Sequence, residues 1–258
     1  MKIQTLVVTL RQDCKTLARE MNLQTDALMG SQCGVDSVYR FEHNSKTVRV
    51  ISTATRGVGI NRNTVLQRAD GDICVLADDD MTFLDGYEQT VCDWFHRLPE
   101  ADILIFNLQE EKPRRKKHTS VEKIGPLNYA RYGAARLAFR RERVCFAGVM
   151  FNTMFGGGCP YSCGEDTLFL QECLKKGLSI MAVPATLAKI HDGDSTWFEG
   201  YTDKYFFDKG VLYYALNKRL CKLHAVIHCF RYRKKYETYG WKNALRQMWK
   251  GCEPPQWV

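Results

Sequence analysis

Short apolar runs alternate with segments of helical periodicity through the first half of the chain. Ile3-Gln4-Thr5-Leu6-Val7-Val8-Thr9-Leu10 reads as a buried strand. Asp13 is placed to cap a helix whose apolar positions Leu17, Ala18 and Met21 fall at helical spacing. A second apolar run, Ala27-Leu28-Met29, ends in the turn-prone Gly30-Ser31-Gln32-Cys33-Gly34, and Thr47 to Ser52 gives a third strand. After Arg56-Gly57-Val58-Gly59-Ile60-Asn61-Arg62-Asn63, a helix is predicted through Val65, Leu66 and Ala69, stopping at Asp70-Gly71. Ile73 to Ala77 is then a continuous apolar strand that runs directly into Asp78-Asp79-Asp80. This order predicts an α/β fold with a mostly parallel, doubly wound sheet, whose ligands lie beyond the carboxyl ends of the strands.

The second half is less regular. A helix over Gly86 to Leu98 and a strand over Ala101 to Leu108 precede a charged loop, Glu110 to Lys117, that contains Pro113-Arg114-Arg115-Lys116-Lys117. The longest uncharged stretch, Val144 to Gly164, is interrupted by Asn152, Gly156-Gly157-Gly158 and Pro160, so it reads as a strand leading into a glycine-rich loop rather than as a membrane span. A helix over Thr167 to Lys176, stopped by Gly177, and a strand over Leu178 to Val183 follow.

Composition narrows the class. The chain has 258 residues, 45% of them hydrophobic and 26% charged, as in a soluble protein with a substantial core. Its first apolar run is too short and too interrupted for a secretory signal. The eleven cysteines show no paired C-x-x-C spacing, which fits a reducing cytoplasm with thiols acting as small hydrophobes. The net charge of +8 resides entirely in residues 211–258, where ten Lys/Arg face only Glu237 and Glu253. Such a localised basic tail suggests an anionic partner, membrane or nucleic acid.

Three groups of residues could carry chemistry. Adjacent carboxylates at the end of a buried strand repel one another and resist desolvation, and a divalent cation removes that conflict. Mg²⁺ or Mn²⁺ takes one or two protein carboxylates and completes its shell with water and phosphate, although a solvated acidic turn would also account for Asp78 to Asp80. Glu165-Asp166 opens a helix after the glycine loop and suits either a cap or a catalytic base. His191 is a candidate ligand if its ring is neutral, and otherwise a structural residue.

Taken in order, these segments resemble the inverting family-2 glycosyltransferases of the GT-A (Rossmann-like) fold. The residues that carry the likeness are Gly57 through Arg62-Asn63, Gly71-Asp72, the strand Ile73 to Ala77 ending in Asp78-x-Asp80, then Glu165-Asp166, Gly177, Leu178 to Val183 and His191. The resemblance implies a central sheet flanked by helices, with residues 1–108 forming a nucleotide-sugar-binding half and 109–210 the acceptor and catalytic half. Residues 211–258 would be a basic amphipathic helical extension. It further implies a hexosyltransferase-type enzyme with Asp166 as general base beside Glu165. Asp80, Asp78 and His191 would hold Mn²⁺ or Mg²⁺, and Thr9, Arg56, Arg62, Asp78 and Asp79 would contact the nucleotide-sugar. A UDP-sugar is the default donor and a saccharide or lipid-linked molecule the acceptor, in surface polysaccharide or glycolipid assembly. Gln32-Cys33-Gly34-Val35 departs from the Asp-Asp-Gly-Ser common in the family, and Val8-Thr9-Leu10-Arg11 from a Pro-Thr-Tyr-Asn-like run, so the residues themselves do not name the base.

The tail mixes Leu212, Tyr213, Leu216, Leu220, Leu223, Val226, Ile227 and Phe230 with basic residues, so it either lies on the inner face of the plasma membrane or packs on the catalytic domain. A nucleotidyltransferase is the nearest rival, but no early Gly-rich, basic triphosphate loop is present. A non-catalytic nucleic-acid-binding protein would leave the acidic clusters unexplained, so nucleic acid is not an expected partner.

Overall fold

The computed structural model describes residues 1–110, 117–191 and 200–253. Most of the basic run Pro113 to Lys117 and the whole of Asp192 to Trp197 therefore lie outside the described residues.

The elements follow in chain order as β1 (Ile3–Thr9), α1 (Cys14–Glu20), β2 (Asp26–Ser31), β3 (Ser37–His43), β4 (Lys46–Ser52), α2 (Val58–Leu66), β5 (Ile73–Asp78), β6 (Met81–Phe83), α3 (Tyr87–Arg97), β7 (Ile103–Glu110) and β8 (Glu122–Ile124). Then come β9 (Leu137–Arg140), α4 (Arg141–Phe146), α5 (Glu165–Lys175), β10 (Ile180–Ile190), α6 (Asp203–Leu216), α7 (Cys221–Tyr232) and α8 (Trp241–Gly251). The strands form one mixed sheet in the order β3-β4-β2-β1-β5-β9-β7-β10-β6, with β8 on β10. Central β1 is buried along its whole length because parallel neighbours β2 and β5 flank it and helices cover both faces.

Alternate strand residues feed the two faces. Ile3, Val7, Val75 and Ala77 pack with Leu17 of α1, with Met21 just after it and with Val91 and Phe95 of α3. Leu6, Val8, Cys74 and Leu76 pack instead with Val65 of α2, Val144 of α4 and Phe169 and Leu170 of α5. Asp13 caps α1 as predicted, its side chain accepting from Thr16 N at 3.0 Å. Six of the eleven cysteines are buried.

Several elements differ from the sequence reading. The uncharged stretch from Val144 begins inside helix α4 and continues as a loop, with only a single bridge between Phe155 and Tyr161 where a strand was predicted. The strand predicted to end at Val183 continues to Ile190. Pro184, which has no N–H to donate, sits where the β10–β7 register shifts between Ala182 and Thr186. Helix α6 crosses residue 211, so the boundary expected there falls inside a continuous helix.

Helices α6, α7 and α8 form a bundle around Phe206, which stacks or meets edge-on with Tyr201, Tyr205, Tyr236 and Tyr239. A Cβ at Gly210 would lie 2.0 Å from Met248 O, so the absence of a side chain is what allows α6 and α8 to cross closely. The same α6 grips the glycine loop: Val211 and Leu212 pack on Phe155, and buried Asp208 accepts from Ser162 N at 2.9 Å.

Candidate active site

The sheet brings the acidic motifs to one edge. Strand β5 ends at Asp78, the chain turns through Asp79 and Asp80, and β6 returns to pair antiparallel with the end of β10, setting Ile190 opposite Met81. That pairing carries His191 back to the turn, where its backbone N donates to Asp80 O at 2.9 Å. Thr9, at the end of β1, donates to Asp79 Oδ2 at 2.5 Å and accepts from Arg11 N at 2.9 Å, which fixes the carboxylate of the middle aspartate.

Arg62 is the hub of the site. Its side chain is 5% exposed, projects from α2 and packs over the Phe151 ring, and its guanidinium meets three carboxylates. Nη2 donates to Asp78 Oδ1 at 2.9 Å, and Nη1 donates to Glu165 Oε1 at 3.0 Å and to Asp166 Oδ1 at 2.6 Å. A single planar cation thus spans the end of β5 and the start of α5. Arg62, expected to contact the nucleotide-sugar, has its guanidinium bonded to these acids. Burial works against its charge, but Asp166, Asp78 and Glu165 more than offset that and hold it firmly protonated. The neighbouring Asn63 clamps the loop below, with Nδ2 donating to Phe151 O and Oδ1 accepting from Phe151 N, both at 2.8 Å.

Glu165 is buried and its second oxygen accepts from Gly164 N at 3.1 Å. Gly156 makes this possible: its φ is +104°, and a Cβ there would stand 2.7 Å from the Glu165 carboxyl and 2.4 Å from Val58 Cγ1. Asp166 keeps a quarter of its side chain accessible. Burial, followed by repulsion from Glu165, pushes its carboxyl up to about 7, despite the opposing pull of Arg62. A carboxyl poised there exchanges a proton near neutrality, as a general base requires.

Asp79, Asp80 and His191 open onto a cleft of about 480 Å³, together with Arg11, Glu20, Met21, Met81 and Thr82. Asp80 faces solvent at the cleft floor, yet partial desolvation and then Asp78 and Asp79 push its carboxyl up to about 6. The His191 ring is oriented by Thr82. The Thr82 hydroxyl donates to Glu20 O at 3.0 Å, so it accepts from His191 Nε2–H at 2.8 Å, leaving the Nδ1 lone pair free to ligate.

Among the described residues no three His, Cys, Asp or Glu side chains converge as a metal site. A carboxylate such as that of Asp80 is the hard oxygen ligand that Mg²⁺ or Mn²⁺ takes, with water and phosphate filling the remaining positions, and the softer His191 imidazole lines the same cleft. Asp78, also expected in the metal shell, has one oxygen committed to Arg62. Arg56 lies exposed ahead of α2, apart from this hydrogen-bonded network.

Comparison with known proteins agrees with this architecture. Residues 35–156 match the model of Glycosyl transferase family 2, a span that runs from the β2–β3 connection to the glycine loop and includes Arg62 and Asp78 to Asp80. No curated protein sequence matches the chain. The fold is shared with S. aureus TarS 1-349 in complex with UDP-GlcNAc, at 13% identity and a TM-score of 0.62, over 84% of this chain and 67% of that one. The same TarS fragment in complex with UDP gives 12% identity and a TM-score of 0.63, over 96% and 90%. Against a longer S. aureus TarS structure the chain covers 39% of the other's length at 12% identity and a TM-score of 0.59. The family match spans just under half of the chain and takes in Arg62 and Asp78 to Asp80, and the sheet is shared with these structures, so the chain has the GT-A fold and is similar over residues 35–156 to the family-2 glycosyltransferases.

Proposed function

We propose that the protein transfers a sugar, with inversion, from a nucleotide-sugar to an acceptor hydroxyl in surface polysaccharide or glycolipid assembly, and that the transfer depends on a divalent metal. The observation that carries this reading is the Arg62 guanidinium bonded to both Asp78 and Asp166. It sets the acids of the donor edge and the candidate base within reach of one substrate.

In this reading Thr9 and Asp79 lie toward the nucleotide, and the donor diphosphate occupies the cleft beside Asp80 and His191. A Mn²⁺ or Mg²⁺ ion on those two residues would neutralise the leaving diphosphate. Asp166 takes the proton of the acceptor hydroxyl as that oxygen attacks the anomeric carbon from the face opposite the leaving group. Arg62 restrains the Asp166 carboxylate and keeps its charge from repelling Asp78. A UDP-sugar is the donor we favour, supported by the TarS structures solved with UDP-GlcNAc and with UDP. Proton NMR of the first-formed product tests the stereochemistry: an anomeric configuration opposite to the donor's is expected, and a retained configuration overturns the role of Asp166 as a base.

A further inference from the structure

We propose that the outward face of α7 is a docking surface for an anionic lipid bilayer. The inference goes beyond the transfer reaction and stands on different residues. Helix α7 buries Cys221, Ala225 and Cys229 against α6 and α8. At about 100° per residue, Leu223, Val226, Ile227 and Phe230 fall on the opposite side. Among the described residues these four are exposed by 52%, 40%, 54% and 69%, and Leu220 extends the stripe at 44%. Bundle formation leaves this apolar row in water, although it is long enough to cover roughly 15 Å of surface.

Charge identifies the occupant. Residues 218–235 contain Lys218, Arg219, Lys222, Arg231, Arg233, Lys234 and Lys235 and no acidic residue. On the helical wheel Lys222 and Arg231 border the apolar row on its two sides, and Arg233 reaches back over the Phe230 ring at 4.6 Å. On one flank the partly exposed Trp249 donates its indole N–H to Lys222 O, adding an amphipathic ring at the depth where headgroups meet acyl chains.

Aliphatic side chains between cations match a surface that is anionic at its headgroups and apolar beneath. Nucleic acid offers the charge without the apolar layer. A second copy of the chain would set these cations against one another across a two-fold axis. Among the described residues no helix is long and apolar enough to cross a membrane, so the contact is peripheral.

The test is flotation of the full chain with vesicles of neutral phosphatidylcholine, and with vesicles containing about 30% phosphatidylglycerol. Binding to the anionic vesicles is expected, with a loss of about tenfold or more on neutral vesicles, in roughly 0.5 M salt, or in the double variant Ile227→Glu/Phe230→Glu. Both substituted residues are already exposed, and circular dichroism checks that the bundle persists. Anionic-vesicle binding by the folded double variant equal to that of the parent overturns the assignment. So does a parent chain that ignores both vesicles, whether or not it dimerises or binds RNA. Transfer to a soluble acceptor is expected to be unchanged in the double variant, so failure of the membrane inference and failure of the proposed reaction are read out separately.

Discussion

The acidic edge around Arg62 and the C-terminal bundle stabilise themselves in opposite ways. At the edge, a guanidinium that is almost wholly buried is surrounded by three carboxylates, and removing that cation leaves all three uncompensated. In the bundle, Phe206 sits among four tyrosines, and His228 lies between the hydroxyls of Tyr213 and Tyr236 at 2.6 Å each, a neutral network in an apolar setting. One region is organised around a buried charge held by opposing charges and the other around aromatic packing and a neutral histidine. Substitutions and pH changes that spare one should damage the other.

The largest effect is expected from Arg62→Ala. It leaves Glu165, Asp166 and Asp78 clustered without their cation and should cost about 3–5 kcal/mol in urea unfolding, along with loss of transfer. A much smaller cost would mean that the carboxylates do not depend on this cation.

Acidification should distinguish the regions next. Burial, then Lys209 and Arg231, lowers the His228 pKa to about 4. Folded His228 therefore resists a proton that the unfolded chain binds near 6.5. The stability it supports is present above that value and is lost as pH falls toward 4, amounting to about 2 kcal/mol between pH 7 and pH 5. His228→Phe should flatten that window. Asp166 runs the other way: its folded pKa is raised to about 7, so the native carboxyl holds a proton that the unfolded chain releases near 3.9, and stability falls as pH rises from about 4 to about 7. Transfer by the free enzyme should rise as pH passes about 7, because the proposed base must be ionised.

A smaller contrast separates two helix starts. In α6, the Thr202 hydroxyl caps the helix by accepting from Tyr205 N at 3.2 Å, whereas α5 begins at Gly164 with no side-chain cap and carries its acids in the first turn. Thr202→Ala should lower the melting temperature by the equivalent of about 1 kcal/mol and leave transfer rates unchanged.

The two regions also differ in how far the chain's pattern reveals them. Strands β1 and β5 are legible because both faces are buried and their residues are continuously apolar. Strand β3 is not, because Ser37–His43 is an edge strand with mostly exposed side chains, and the three-residue β6 is too short to show a period. That short strand is what brings His191 to Asp80, so the meeting of the two residues is invisible without it.

The acids themselves stand out as adjacent carboxylates, but the role of Arg62 depends on contacts 103 and 104 residues away along the chain. In the tail, amphipathicity is plain, but which apolar positions are buried follows from the Gly210 and Gly251 crossing of α6 and α8. The start of α6 at Asp203 is set by its Thr202 cap, ahead of the charge boundary from which the tail was read.

The most direct test is calorimetric donor binding, paired with single-turnover transfer, for Asp166→Asn and Asp80→Ala. Asp166→Asn should bind the nucleotide-sugar with nearly parental affinity and slow transfer by about 10³-fold, within the range expected when a general base is removed. Asp80→Ala should lose metal-dependent donor binding. Equal loss of donor binding in both variants, or transfer by Asp166→Asn near the parental rate, would contradict the division of labour across the Arg62 hub.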